Sequence, residues 1–180
     1  MKLSQADCIF CSIVSGGRPS YKVFEDRNHL AFLDIHPFVR GHTLVVPKEH
    51  YDTLLSMDEK RVGGLFECVS KVAVRVVKAV GADGFRLIQN NGEAAAQVVK
   101  HVHVHIIPLK LGEKEAYFKR LDLSDQELSS IASSIWLASG KKVTGLQAHA
   151  SEAEGTSRVP RPCLRRIQAP HRLRSRAPRL

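Results

Sequence analysis

"KHVHVHIIPLK" (residues 100–110) sets His101, His103 and His105 at alternate positions, with Val102, Val104 and Ile106 in the intervening ones. Side chains of an extended strand point to opposite faces in turn. The spacing therefore predicts a strand whose valine and isoleucine face enters the core and whose histidine face lines something polar. The same geometry limits a metal reading. At about 3.3 Å rise per residue, His101 and His105 have Cα atoms about 13 Å apart, so one ion cannot gather all three imidazoles without straining the strand. Two neighbours can still share a metal. Chemistry suits the spacing better: a neutral imidazole attacks phosphorus when its far nitrogen is held by a hydrogen bond. A second imidazole about 6.6 Å along the strand then reaches the same phosphate or protonates the leaving group. His103, the middle member, is best placed to attack. The plainer alternative for any single member is a structural or solvated histidine, but three in register weigh against it.

Outward from this strand, "GFRLIQN" (84–90) reads as the strand before it and "NGEAAAQ" (91–97) as the loop between them. Further upstream, Ser56 and Glu59 have capping-box spacing. Val62, Leu65, Phe66, Val69, Val72, Ala73, Val76, Val77 and Val80 follow at intervals of three and four, which predicts a long helix with one buried face. "YKVFED", "HLAFLDI" and "TLVVP" read as three more strands, the first two joined through Asp26-Arg27-Asn28 and the third ended by Pro47. "CIFCSIVSGG" reads as a short helix stopped by Gly16-Gly17, and Ser124 with Glu127 opens a last helix through Leu128, Ile131, Ile135 and Trp136. Three strands, a long helix and two strands with short connections predict an α+β domain on a five-stranded antiparallel sheet.

The chain of 180 residues carries a net charge of +9, but unevenly. Residues 1–140 hold 17 basic and 16 acidic side chains, whereas residues 141–180 hold ten and two. The basicity belongs to a tail rich in Arg, Pro, Ser and Ala, without aromatic residues or apolar period, which composition predicts to be disordered. Such a tail can bind nucleic acid weakly through counterion release, although a solvated extension is the plainer reading. No apolar run long enough to span a bilayer occurs, and "MKLSQADCIF" lacks the apolar stretch of a secretory signal. No membrane role is expected, and the expected location is the cytoplasm, with the nucleus as a further one. Four cysteines, Cys8, Cys11, Cys68 and Cys163, are too few and too scattered for a disulfide framework.

"HVHVHII" resembles the His-φ-His-φ-His-φ-φ signature, with φ apolar, of the histidine triad (HIT) superfamily of nucleotide hydrolases and transferases. "CIFCSIVSG", "YKVFED", "LAFLDIHPFVRGHTLVVPKEH", "GADGFRLIQNNG" and "GEAAAQVVKHVHVHIIP" are similar to family segments in the family's order, over about residues 7–109. The CxxC opening and the "QNNG" loop look most like the phosphoramidase branch. The resemblance implies a HIT core over 7–109, a linker and helix over 110–140 and the tail over 141–180, with two protomers joining their sheets as a homodimer. It implies His103 as the nucleophile that takes the nucleotidyl group, His105 as phosphate contact and aid to the leaving group, and His101 as support. Asn90 falls on the phosphate or ribose side, Gln97 in the loop that cradles the phosphate, Asp34 on the ribose hydroxyls, and Phe10, Ile13, Phe32 and Ile35 around a purine base. One departure stands out: Val98 occupies a position where many members carry Ser or Thr, which removes a hydroxyl contact worth about 1 kcal/mol.

Cys8-x-x-Cys11 alone is a weak signal, open to a redox pair or to two buried free thiols beside a surface His50. With His50 and His101 it makes a Cys₂His₂ set suited to tetrahedral zinc, and the resemblance in "CIFC" and "PKEH" implies a structural zinc there. No cofactor is expected for catalysis itself. His42 reads as a loop residue leading into a strand, Cys68 as structural, and His29, His36 and His149 receive no role.

The expected activity is hydrolysis of purine nucleoside 5′-phosphoramidates through a nucleotidyl-histidine intermediate. The rivals are a dinucleoside polyphosphate hydrolase and a nucleotide-binding scaffold with weak catalysis.

Overall fold

A computed structural model describes residues 8–112 and 119–138, and within them the chain opens on the helix α1 (Ile9–Val14). Cys8 caps it, its Sγ 3.5 Å from the Cys11 N–H that the first helical turn leaves without a helical partner. Gly16, at φ 82°, turns the chain out of it. β1 (Lys22–Glu25) and β2 (His29–Leu33) form the expected hairpin. Its turn is held by the Asp26 carboxylate, which accepts from the Asn28 and His29 N–H groups at 2.8 and 2.7 Å.

β3 (Thr43–Pro47), α2 (Glu59–Val80), β4 (Gly84–Ile88), β5 (Val104–Leu109) and α3 (Asp125–Leu137) follow, with short 3₁₀ turns at Leu54–Ser56 and Glu93–Ala95. The five strands make one sheet in the order β1-β2-β3-β5-β4, every neighbour antiparallel, as the strand order and short connections predict. The α+β fold with one long helix and a last helix is thus present.

Strand alternation builds a core on each side of the sheet. Ala31, Val45, Val104 and Ile106 face α2 and α3, where Leu65, Val69, Val72, Val76 and Ile135 meet them. Leu30, Phe32, Leu44 and Val46 face the other way and are covered by Phe10 and Ile13 of α1. Each such side chain withdrawn from water contributes about 1.5–3 kcal/mol before entropy is counted.

Three local expectations are corrected. α2 is capped by Asp58, which accepts from Arg61 N at 2.8 Å, while Ser56 bonds the Thr53 carbonyl at 2.7 Å and closes the preceding 3₁₀ turn instead. An apolar period also overstates the buried face. Phe66 is exposed and Val62 and Val80 only half-buried, whereas Cys68 takes a core position, because the groove over the sheet admits a narrower stripe than the sequence offers. On α3, the Ser124–Glu127 capping box forms and Leu128, Ile131 and Ile135 are buried, but Trp136 turns outward.

Strand pairing of the histidine segment begins only at Val104, so His101 and His103 precede the ladder. The alternation still holds, since Val102, Val104 and Ile106 are wholly buried against α2. Among the described residues, no helix is long and apolar enough to cross a membrane. Residues 141–180, including the expected disordered tail, lie outside the described residues.

Candidate active site and metal centre

The three histidines fall on one side of their segment, opposite Val102, Val104 and Ile106, yet meet three different sets of partners. His101, fully buried, donates from Nε2 to the Pro47 carbonyl at 2.9 Å and turns Nδ1 to the sulfurs of Cys8 (3.4 Å) and Cys11 (3.6 Å). Opposite it, His50 turns Nδ1 to Cys11 Sγ at 3.2 Å and bonds the Asp52 carboxylate through Nε2 at 2.9 Å. The ligand atoms of Cys8, Cys11, His50 and His101 all lie within 4.8 Å of one another.

Both imidazoles present an unprotonated nitrogen inward because the outer one is held by an acceptor, the arrangement that orients histidines for a metal. Two thiols and two such nitrogens fit tetrahedral zinc. Without an ion, burial and the neighbouring Cys8 push the Cys11 thiol up to about 11, so a cation is what would favour its thiolate.

His103 sits under Phe10, with ring centroids 5.2 Å apart. Its Nδ1–H donates to the carbonyl oxygen of His101 at 2.6 Å, so the proton is fixed on Nδ1 and Nε2 keeps its lone pair. Burial lowers its pKa, which keeps the ring neutral.

His105 lies beside it, ring centroids 5.0 Å apart, and its Nδ1 is 3.0 Å from Nε2 of His42. The tautomers follow in order. The Phe38 N–H donates to His42 Nδ1 at 3.3 Å, which places the His42 proton on Nε2. That proton is donated to His105 Nδ1, leaving His105 with its proton on Nε2. Burial first, and the Arg120 charge after it, push His42 down to about 4; the Asp34 carboxylate opposes them. His105 is also pushed down to about 4, chiefly by burial and then by His42 and His103. A lone pair on His103 and an N–H on His105 therefore stand side by side, the pairing that nucleophilic attack with leaving-group protonation needs.

Asp34 follows β2 and is tied to the same cluster. Its backbone N–H donates to the His42 carbonyl at 3.0 Å, its Oδ1 accepts from His36 N–H at 2.9 Å, and its Oδ2 is 3.6 Å from His42 Nδ1. Phe10, Ile13 and Phe32 are buried together, Phe10 edge-on to Phe32 at 5.6 Å, whereas Ile35 is exposed. Asn90 is half-buried just beyond β4.

Gln97 is buried with all its amide capacity turned inward. It accepts from Gly92 N–H at 2.7 Å and donates to the Asp52 and Val99 carbonyls at 2.6 and 3.0 Å. Its side chain braces the 92–97 loop. Val98, directly after it, is almost fully exposed.

Sequence reasoning missed His42, Phe38, Asp52 and Arg120. Only the β3–β5 register, which pairs Leu44 with His105, brings His42 next to the histidine segment.

A neutral histidine pair at a sheet face, beside a Cys₂His₂ cluster, defines the class of site. A model of the HIT domain matches residues 15–111. The adenosine 5′-monophosphoramidase hnt1 of Schizosaccharomyces pombe is 45% identical over 101 residues, covering 56% of this chain and 73% of that one. The adenylylsulfatase HINT3 of Arabidopsis thaliana is 39% identical over 135 residues, covering 73% and 68%. The crystal structure of a zinc-bound histidine triad family protein from Mycobacterium smegmatis superposes with a TM-score of 0.66 at 35% identity, covering 73% of this chain and 95% of that one. The chain belongs to the HIT family.

Proposed function

We propose that the protein hydrolyses purine nucleoside 5′-phosphates carrying a small leaving group, with adenosine 5′-phosphoramidate as the leading substrate. The observation that carries this reading is the fixed tautomer pair, His103 with a free Nε2 and His105 with an Nε2–H. His103 Nε2 attacks the phosphorus while its Nδ1–H stays on the His101 carbonyl, which steadies the positive charge the ring acquires. The P–N bond breaks as His105 Nε2 relays a proton taken up from solvent to the departing amine, so that its ring is neutral before and after the step. Water then attacks the nucleotidyl-His103, gives up one proton through His105 to solvent, and the nucleoside monophosphate leaves with both histidines restored.

Two similar proteins support this choice of substrate, since hnt1 is named for a monophosphoramidate and HINT3 for adenylyl sulfate. Asp34 takes the ribose hydroxyls, Phe10, Ile13, Phe32 and Ile35 bound the base, and Asn90 with the Gln97-braced loop meets the phosphate. Cys8, Cys11, His50 and His101 hold a structural zinc, which ties α1 to the histidine segment.

A homodimer through the β4 edge fits the exposed Phe85 and Leu87, since β4 ends the sheet and an uncovered apolar edge favours pairing with another copy. Sedimentation of the full chain tests that assembly, a monomer at micromolar concentration counting against it. Cytoplasmic and nuclear location remains part of the proposal and is tested by imaging the tagged full chain.

The decisive assay compares turnover of adenosine 5′-phosphoramidate, adenylyl sulfate and diadenosine polyphosphates by the full chain and by His103→Ala. Preference for a dinucleotide would replace the leading substrate, and undiminished turnover by the variant would remove His103 from the mechanism. Tight AMP binding with no turnover of any of the three would favour the scaffold reading.

A further inference from the structure

The HIT match ends at residue 111, yet a side chain from beyond it reaches the site. After the described chain resumes at Lys119, the segment runs alongside the turn that follows β2, and Leu121 N–H donates to the Pro37 carbonyl at 2.7 Å. This places Arg120 over that turn. Its guanidinium donates to the His36 carbonyl, lies 4.8 Å above the centre of the Phe38 ring, and stands 3.9 Å from Asp34 Oδ2. Phe38 in turn stacks on His42 at 5.4 Å and 15°. Arg40, bound to Glu127 of α3 at 2.8 Å, secures the same stretch a second time.

We propose that Arg120 is a positioning residue for ribose recognition, holding the Asp34 carboxylate at the sugar edge of the site and the Phe38 ring against His42. The inference rests on the assignment of Asp34 to the ribose hydroxyls. Asp34 Oδ1 is already fixed by the His36 N–H, whereas among the described residues the partners given for Oδ2 are His42 Nδ1 at 3.6 Å and Arg120 at 3.9 Å. A planar guanidinium anchored by a carbonyl and a ring face is suited to this work. It offers several N–H groups in fixed directions, and one can face Oδ2 while another keeps the His36 carbonyl. The carboxylate is thereby turned toward incoming hydroxyls without a closed salt bridge that substrate would have to break. Sugar preference in this chain then depends on a residue outside the family-matched segment.

The test measures binding of AMP and of 2′,3′-dideoxy-AMP to the full-length protein by calorimetry, for the unaltered chain, Arg120→Gln and Arg120→Lys. A half-exposed charged contact predicts that Arg120→Gln weakens AMP about fivefold and leaves the dideoxy nucleotide unchanged. Arg120→Lys, which keeps the charge but loses the flat group over Phe38, falls between. Equal losses for both nucleotides would show a general phosphate or folding contribution and overturn the inference, as would no change for either. If the unaltered chain binds AMP while Arg120 proves indifferent, the inference alone fails. If it does not bind AMP, the nucleotide reading fails and takes the inference with it.

Discussion

His42 Nε2 lies 3.0 Å from His105 Nδ1, and this bond joins the end of one strand connection to the centre of the site. A side chain that looks like part of a loop thus sets which nitrogen of His105 carries the proton. Replacing it by Asn or Ala leaves His105 free to take either tautomer. His42→Asn is expected to lower kcat for the phosphoramidate about 10- to 100-fold with KM little changed, a part of the roughly 10²- to 10⁴-fold that a positioned general acid contributes. A fall in KM-linked affinity with kcat intact would assign His42 to binding instead.

The same pair sets an acid limit on stability. His42 and His105 are held neutral with pKa pushed down to about 4, against 6.5 for an ordinary histidine. Between these values the unfolded chain binds protons that the folded chain refuses. Stability is therefore complete above about pH 6.5 and is lost as pH falls toward 4, at about 1.4 kcal/mol per pH unit for each proton. Urea unfolding midpoints measured from pH 7.5 to 4.5 should decline over that window, and His42→Gln should flatten the slope.

Ala96 adopts φ 60° and ψ 32°, a left-handed conformation, at the end of the 3₁₀ turn before Gln97. An alanine there costs about 1 kcal/mol or more in steric strain, while glycine would lose about 0.5 kcal/mol of extra chain entropy on folding. Ala96→Gly should raise stability by about 0.5 kcal/mol in denaturant titration. A destabilised variant would mean that the alanine methyl makes a contact outweighing the strain.

The Cys₂His₂ cluster predicts stoichiometric zinc in the purified full chain by elemental analysis. Cys8→Ser should abolish it, and chelation should lower the thermal midpoint by several degrees, since a structural ion adds its binding free energy to folding. Activity need not vanish, because His103 and His105 are not among those ligands. Zinc content unchanged in Cys8→Ser would place any bound metal elsewhere.

Much of this was legible in the residues. Alternating histidine and valine put the imidazoles on one face, and Val102, Val104 and Ile106 are indeed wholly buried on the other. The conflict between two adjacent capping signals was not legible, because Ser56 and Asp58 both offer an acceptor and only the path of the 53–58 turn selects between them. Phe66 on α2 likewise fits the helical period yet faces outward, since periodicity does not state how wide a stripe the sheet can cover.

The sequence by itself determined the element order, the polar and apolar faces of the histidine segment, and the family. These depend on local spacing and on side-chain character, which need no knowledge of distant contacts. The meeting of His101 with Cys8 and Cys11 was expected from the family resemblance, whereas tertiary structure alone decided that His103 is aimed by a carbonyl two residues back and that His105 is aimed by His42. It also brought Arg120 over Phe38 from the far side of the chain. The proton positions on which the proposed chemistry depends come from hydrogen bonds linking residues up to 63 apart in sequence, and only the strand order β3-β5 brings those groups within reach.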